Sequence, residues 1–228
     1  MEKLAIFDLD GTLIDSIGDL SCAVNHALEL RGFPTHSVSE CRMMVGHGVR
    51  NLIKKALPEA LSDNEELVDD ILELFTGYYT EHIDVLTAPY SGIADMLARL
   101  SGKGIALAIA SNKFQSGTEK LAEIMFPGIG FVAVLGNRPG WPLKPSPEII
   151  FKAMEAAGMD RNNASGNVVM CGDSQTDMST AMNAGICGIG VGWGFRPLDS
   201  LLSASVKVTD VEALEAAILE ALDIRQKH

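Results

Sequence analysis

Two aspartates one residue apart, Asp8 and Asp10, stand directly after the apolar run Leu4 to Phe7 and just before Gly11. An uninterrupted run of that length suits a strand covered on both faces, and the glycine breaks it, so both carboxylates are expected where a central strand ends. In extended chain this spacing puts the two side chains on the same side of the backbone. Like charges about 4 Å apart repel by roughly 4 kcal/mol at an effective dielectric near 20. A cation or a shared proton has to compensate, and the pair is read as a divalent-metal and nucleophile pair.

From residue 16 to about 86 the pattern is helical. Asp15 or Ser16 is placed to cap a helix carrying Ile17, Leu20, Val24 and Leu28, and a second follows Ser37 or Ser39 and stops at Gly46-His47-Gly48. Val49 to Leu57 predicts a short third helix, and a longer fourth starts near Ser62 and carries Leu67, Ile71, Phe75 and Tyr79. After Pro89-Tyr90-Ser91-Gly92 the pattern changes. Strands are expected at Ile105 to Ala110, Val132 to Leu135, Val168 to Cys171, Cys187 to Val191 and Val206 to Val208. They alternate with helices near 91–101, 115–125, 146–157, 177–184 and 210–222. Such βα alternation implies an open parallel sheet with helices on both faces, here interrupted by a helical insert. Arg225 to His228 reads as a solvated tail.

In a sheet of this kind ligands bind at the carboxyl ends of the strands. Asp8, Ser111 and Asp173 each follow a predicted strand and are expected to meet in one crevice. Lys144, flanked by Pro145 and Pro147 on a stiff turn, supplies positive charge to offset the acids and an anionic substrate. The formal net charge of -12 argues against a broad nucleic-acid or anionic-membrane surface. Cys22, Cys41, Cys171 and Cys187 lack disulfide or zinc spacing and read as reduced thiols. With no secretory signal pattern and no apolar stretch near the roughly 20 residues of a membrane span, the expected location is cytoplasmic.

Four motifs in order, Asp8-Leu9-Asp10-Gly11-Thr12, Ser111-Asn112-Lys113, Lys144-Pro145-Ser146-Pro147 and Gly172-Asp173-Ser174-Gln175-Thr176-Asp177, resemble those of the haloacid dehalogenase superfamily, specifically its phosphatases with a helical cap after the first motif. The resemblance implies a Rossmann-like doubly wound core at 1–15 and 87–228 and an all-helical cap at 16–86. It implies Asp8 as nucleophile, Asp10 as general acid and base, and Ser111 and Lys144 as holders of the phosphoryl group. Magnesium would be bound by Asp8, Asp173 and the main-chain carbonyl of Asp10, with Asp177 orienting Lys144 or a metal-bound water.

Carbon-halogen and carbon-phosphorus cleaving relatives typically differ at Asp10, so phosphate esters are expected, as is a small phosphorylated metabolite as partner. Met44 to Arg50, with Asn112-Lys113 and Ala88 to Gly92, is similar to phosphoglycolate phosphatases. In that reading Thr12, Asn112 and Lys113 join Gly46, His47 and Arg50 around the substrate, and Arg50, His47 or Lys113 would meet its carboxylate, with Arg50 favoured by its planar fork. Relatives acting on pyrophosphate, nucleotides or sugar phosphates, including phosphomutases, are the enzymatic alternatives. A phospho-accepting signalling receiver is the alternative of another class, set aside because receivers are smaller, lack such an insert and place their aspartate later.

Overall fold

The computed structural model describes residues 3–224. Its main sheet runs β5-β4-β1-β6-β7-β8 and every neighbouring pair is parallel. The strands are β1 (Lys3–Phe7), β4 (Ile105–Phe114), β5 (Phe131–Asn137), β6 (Val168–Gly172), β7 (Cys187–Val191) and β8 (Val206–Val208). β1 lies in the middle because both of its faces are apolar. Leu4 and Ile6 belong to the core cluster that holds Ile150 and Met154 of α7 (Glu148–Ala156). Ala5 and Phe7 belong to the opposite one, with Leu97 of α5 (Ile93–Gly102) and Ile218 of α9 (Val211–Ala221). All four strand residues are fully buried, and a large aliphatic or aromatic side chain so placed contributes about 1.5–3 kcal/mol. The order of strands reverses at β1, and the crevice of an open sheet forms at such a reversal.

Between β1 and β4 the chain makes a two-stranded antiparallel ribbon, β2 (Ile14–Asp15) with β3 (Ala88–Pro89). Two-residue strands carry no periodicity, so the ribbon had no sequence signal. The chain between them forms α1 (Ile17–Glu29), α2 (Val38–Met44), α3 (Val49–Ala56) and α4 (Glu65–Glu81). Buried Asp19 of α1 accepts hydrogen bonds from Leu86 N, Thr87 N and Thr87 Oγ1 at 2.7–2.9 Å, tying the two crossings together. The apolar faces of these helices, with Val24, Ile53 and Phe75, join the same cluster as Phe7.

The differences from the expected elements are local. Asn64, not Ser62, caps α4, because its side chain reaches Leu67 N while Ser62 closes the preceding 3-10 turn. Ser37 caps α2 in a reciprocal box with Glu40. α8 (Gln175–Asn183) starts earlier than expected, Ser174 and Asp177 forming the same kind of box. β4 does not stop at Ala110: polar Ser111, Asn112 and Lys113 continue it past a register shift to Phe114, which pairs with Asn137. Residues 225–228, read as a tail, lie outside the described residues. Among the described residues no helix is long and apolar enough to cross a membrane.

Candidate active site

β1 delivers Asp8 at its carboxyl end, where Asp8 N donates to Cys171 O of β6 at 2.9 Å. Gly11, with φ +86, then turns the chain back, a conformation that suits a residue without Cβ. A Cβ at Gly11 or at Gly194 would overlap Asp173, so both glycines are needed for close approach. The turn places Asp10 beside the start of the helical insert. Asp10 Oδ1 accepts from Ser16 Oγ at 2.5 Å. Lys113 Nζ lies 3.1 and 3.2 Å from the two Asp10 oxygens and 2.6 Å from the hydroxyl of Tyr79, on α4.

Lys144 is buried and anchored through its own backbone. Asn112 accepts from Lys144 N at 2.9 Å and donates to Lys144 O at 3.2 Å. Its ammonium donates to Asp177 Oδ1 at 2.6 Å and Ala110 O at 2.8 Å, and stands 2.9 Å from Asp8 Oδ1. That last contact is an ion pair outside hydrogen-bond geometry, so Asp8 Oδ1 accepts no hydrogen bond. Burial works against the Lys144 charge, but Asp177 and Asp8 outweigh it and its pKa is raised. Ser111 is buried, and its Oγ accepts from Lys113 N at 3.3 Å, leaving its proton free to donate.

Carboxylate oxygens of Asp8, Asp173 and Asp177 lie within 4.8 Å of one another. Burial, with Asp177 nearby, pushes the Asp8 carboxyl up to about 6 against the pull of Lys144. Burial, Asp177 and Asp8 push Asp173 up to about 8. An all-oxygen donor set, a buried Asp8 oxygen that accepts no hydrogen bond and carboxyls that resist ionising together fit a hard divalent cation. Asp177 is committed elsewhere: Oδ1 holds Lys144, and Oδ2 accepts from Ser174 N at 3.1 Å and Ser174 Oγ at 2.6 Å. Asp8 and Asp173 remain as the side chains suited to the ion.

This electrostatic arrangement has a measurable consequence. Well below the ordinary carboxylate pKa of 3.8, Asp8 and Asp173 hold their protons in both folded and unfolded chains. As pH rises past that value the unfolded chain releases them first, so metal-free protein should lose stability progressively until the folded carboxyls ionise near pH 6 and 8. A divalent cation should offset that loss, so its gain in Tm in thermal melts should be larger at pH 8 than at pH 5. A gain that does not vary with pH would contradict the assignment.

The crevice is one cavity of about 710 Å³, its open mouth included. Asp8, Asp10, Ser111, Lys113, Lys144 and Asp173 line it from the sheet. Val45, Gly46, Val49, Phe75 and Tyr79 line it from the helical insert. Asn112 also lines the cavity, with its amide engaged by Lys144.

Three of the expected substrate contacts stand elsewhere. Arg50 does not line the cavity: it pairs with Glu65 and Asp69 of α4 on an exposed face of the insert. His47 lines a neighbouring outer groove instead. Thr12 is fully buried beneath the loop, its carbonyl accepting from Trp193 Nε1 at 3.1 Å. Sequence reading missed Tyr79, Phe195 and Arg196. A tyrosine on an otherwise apolar helix stripe needs a partner for its hydroxyl, and that was the available signal for Tyr79. Phe195 acts through its backbone N–H, which donates to Asp173 Oδ2 at 2.6 Å and leaves no trace in residue type.

A sequence profile of haloacid dehalogenase-like hydrolases matches residues 5–191. Phosphoglycolate phosphatase of Agrobacterium fabrum is 33% identical over 228 residues, covering 97% of this chain and 94% of that protein. The Mesorhizobium japonicum protein of the same name is 35% identical over 193 residues, 84% of this chain and 83% of its own. A crystal structure of a protein assigned as a phosphoglycolate phosphatase in Lactobacillus delbrueckii subsp. bulgaricus superposes with a TM-score of 0.86 at 34% identity, covering 96% of this chain and 99% of that one.

Proposed function

This chain belongs to the haloacid dehalogenase-like hydrolases, and from that premise we propose that it is a magnesium-dependent phosphatase of a small phosphate monoester, 2-phosphoglycolate, working through an aspartyl-phosphate. One observation carries the reading: Asp8, whose buried Oδ1 accepts no hydrogen bond, shares a single cavity with Asp10, Ser111, Lys144 and Asp173. The division into a core at 1–15 and 87–228 and a cap at 16–86 is part of the same proposal, supported by the ribbon at which the helical segment leaves and returns.

Asp8 attacks phosphorus, the bond to the ester oxygen breaks, and Asp10 delivers a proton to the leaving alkoxide. Asp10, now a carboxylate, takes a proton from a water that attacks the phosphorus of the aspartyl-phosphate and releases Asp8. Ser111 Oγ and the Lys144 ammonium hold phosphoryl oxygens during both displacements. Magnesium, held by Asp8, Asp173 and the Asp10 carbonyl, would supply charge neutralisation for the phosphoryl oxygens. Asp177 keeps Lys144 aimed.

Of the three residues considered for a substrate carboxylate, Lys113 is the one inside the cavity. Lys113→Met should therefore raise KM more for a carboxylated ester than for a neutral one. Arg50→Ala should leave both within about twofold, since exposed ion pairs contribute little.

Phosphate release across phosphoglycolate, pyrophosphate and hexose phosphates, with and without magnesium, tests the function. Preference for phosphoglycolate and dependence on magnesium are expected. Metal-independent release, or preference for pyrophosphate or a hexose phosphate, would overturn the substrate or cofactor assignment.

A further inference from the structure

The loop after β7, Gly192 to Arg196, touches in turn the first motif, the acidic cluster and the helical insert. Trp193 Nε1 donates to Thr12 O, and its ring meets Tyr90 edge-on at 6.4 Å, just past β3. Gly194 packs against Asp173 so closely that no Cβ fits, and Phe195 N donates to Asp173 Oδ2. Arg196 then reaches across to the insert. Its guanidinium donates to the carbonyls of Arg42 at 2.6 Å, Met43 at 3.1 Å and Val45.

These carbonyls lie at the end of α2, where a helix leaves acceptors without partners and favours a cation. Gly46 follows directly, and a Cβ there would lie in ordinary contact with Arg196 Nη2, at 3.7 Å. Arg42 in turn stands over the Phe195 ring, 5.9 Å from its centroid. Arg196 also lines both the reaction cavity and the outer groove. Lys113 and Lys144 are each paired with an aspartate, whereas among the described residues Arg196 has no carboxylate within ion-pair distance. Its charge is met by main-chain carbonyls of the insert.

We propose that Arg196 is a positioning residue that latches the α2–α3 loop over the reaction cavity. Because Gly194 and Phe195 hold Asp173, one five-residue loop sets both the closed lid and the acidic cluster. Opening the lid requires the guanidinium to exchange these carbonyls for water, so the closed arrangement is favoured before substrate arrives. Only the kinetic consequence rests on the phosphatase reading; the latch itself is measurable without turnover.

Hydrogen–deuterium exchange followed by mass spectrometry on the full chain, for wild type, Arg196→Gln and Arg196→Lys, tests it. In Arg196→Gln, peptides spanning 38–50 should exchange at least about tenfold faster while those from β1 and β6 keep wild-type protection. Arg196→Lys should recover part of the protection. With phosphoglycolate, KM should rise about tenfold if the closed fraction falls to roughly a tenth, and kcat should change less. Unchanged exchange over 38–50 overturns the latch, as does a raised KM with unchanged exchange, which would make Arg196 a substrate contact. Faster exchange throughout the sheet also overturns it, by making Arg196 a general structural residue. If wild type hydrolyses no phosphate ester, the proposed function fails while the exchange comparison still decides the latch.

Discussion

Asp8→Asn should abolish phosphate release, lowering kcat by roughly 10³-fold or more, as expected when the group that forms the covalent intermediate is removed. The amide is nearly isosteric, so the loss cannot be assigned to a cavity. Stability should move the other way. The Asp8 carboxyl is buried, with Asp177 and Asp10 adding to the cost of its charge, and a neutral amide removes that repulsion. Metal-free Asp8→Asn should therefore melt at or above wild type at pH 8, and its gain in Tm on adding magnesium should shrink. A variant that kept wild-type phosphate release would exclude Asp8 as nucleophile.

Lys144→Met is expected to damage both stability and rate. Asp177 is fully buried and its Oδ1 has Lys144 Nζ as its charged partner at 2.6 Å. Removing one member of a buried pair leaves an uncompensated charge and costs about 3–5 kcal/mol. The destabilisation should lessen as pH falls, because protonating Asp8 removes part of the uncompensated charge. Activity should fall at least about 10²-fold, the scale for losing one preorganised donor to a developing oxyanion. The double variant Lys144→Met/Asp177→Asn separates the two effects: urea unfolding should show most of the stability restored, and phosphate release should stay low. Recovery of both together would mean that Lys144 matters only for folding.

Much of this site was legible in the chain because its chemistry is written as charge against an apolar background. Asp8 and Asp10 interrupt the end of a buried strand, and Asp173 follows another, so the parallel sheet alone brings them together. The sheet was legible for the same reason, its strands being continuous apolar runs. β4 was read too short because Ser111 to Lys113, near its end, line the cavity and are polar although the backbone continues the strand to Phe114.

Contacts between the insert and the core were largely hidden. Arg50 was placed at the substrate from its loop and its guanidinium, yet α4 presents Glu65 and Asp69 to it, a tertiary pairing that local sequence does not encode. Arg196 acts on main-chain carbonyls and Phe195 acts through its main-chain N–H, so neither partner has a side-chain signature. Asp19, an acid in the first turn of α1, binds the returning chain at Leu86 and Thr87, partners far away in sequence.

In the proposed mechanism phosphate passes through a covalent bond to Asp8. Acid quenching of wild type mixed with phosphoglycolate and magnesium, followed by peptide mass spectrometry, measures it directly. A phosphoryl increment on the peptide containing Asp8, appearing during turnover and absent from Asp8→Asn, is the predicted result. Turnover with no such increment on that peptide, or with the increment on another residue, would contradict it.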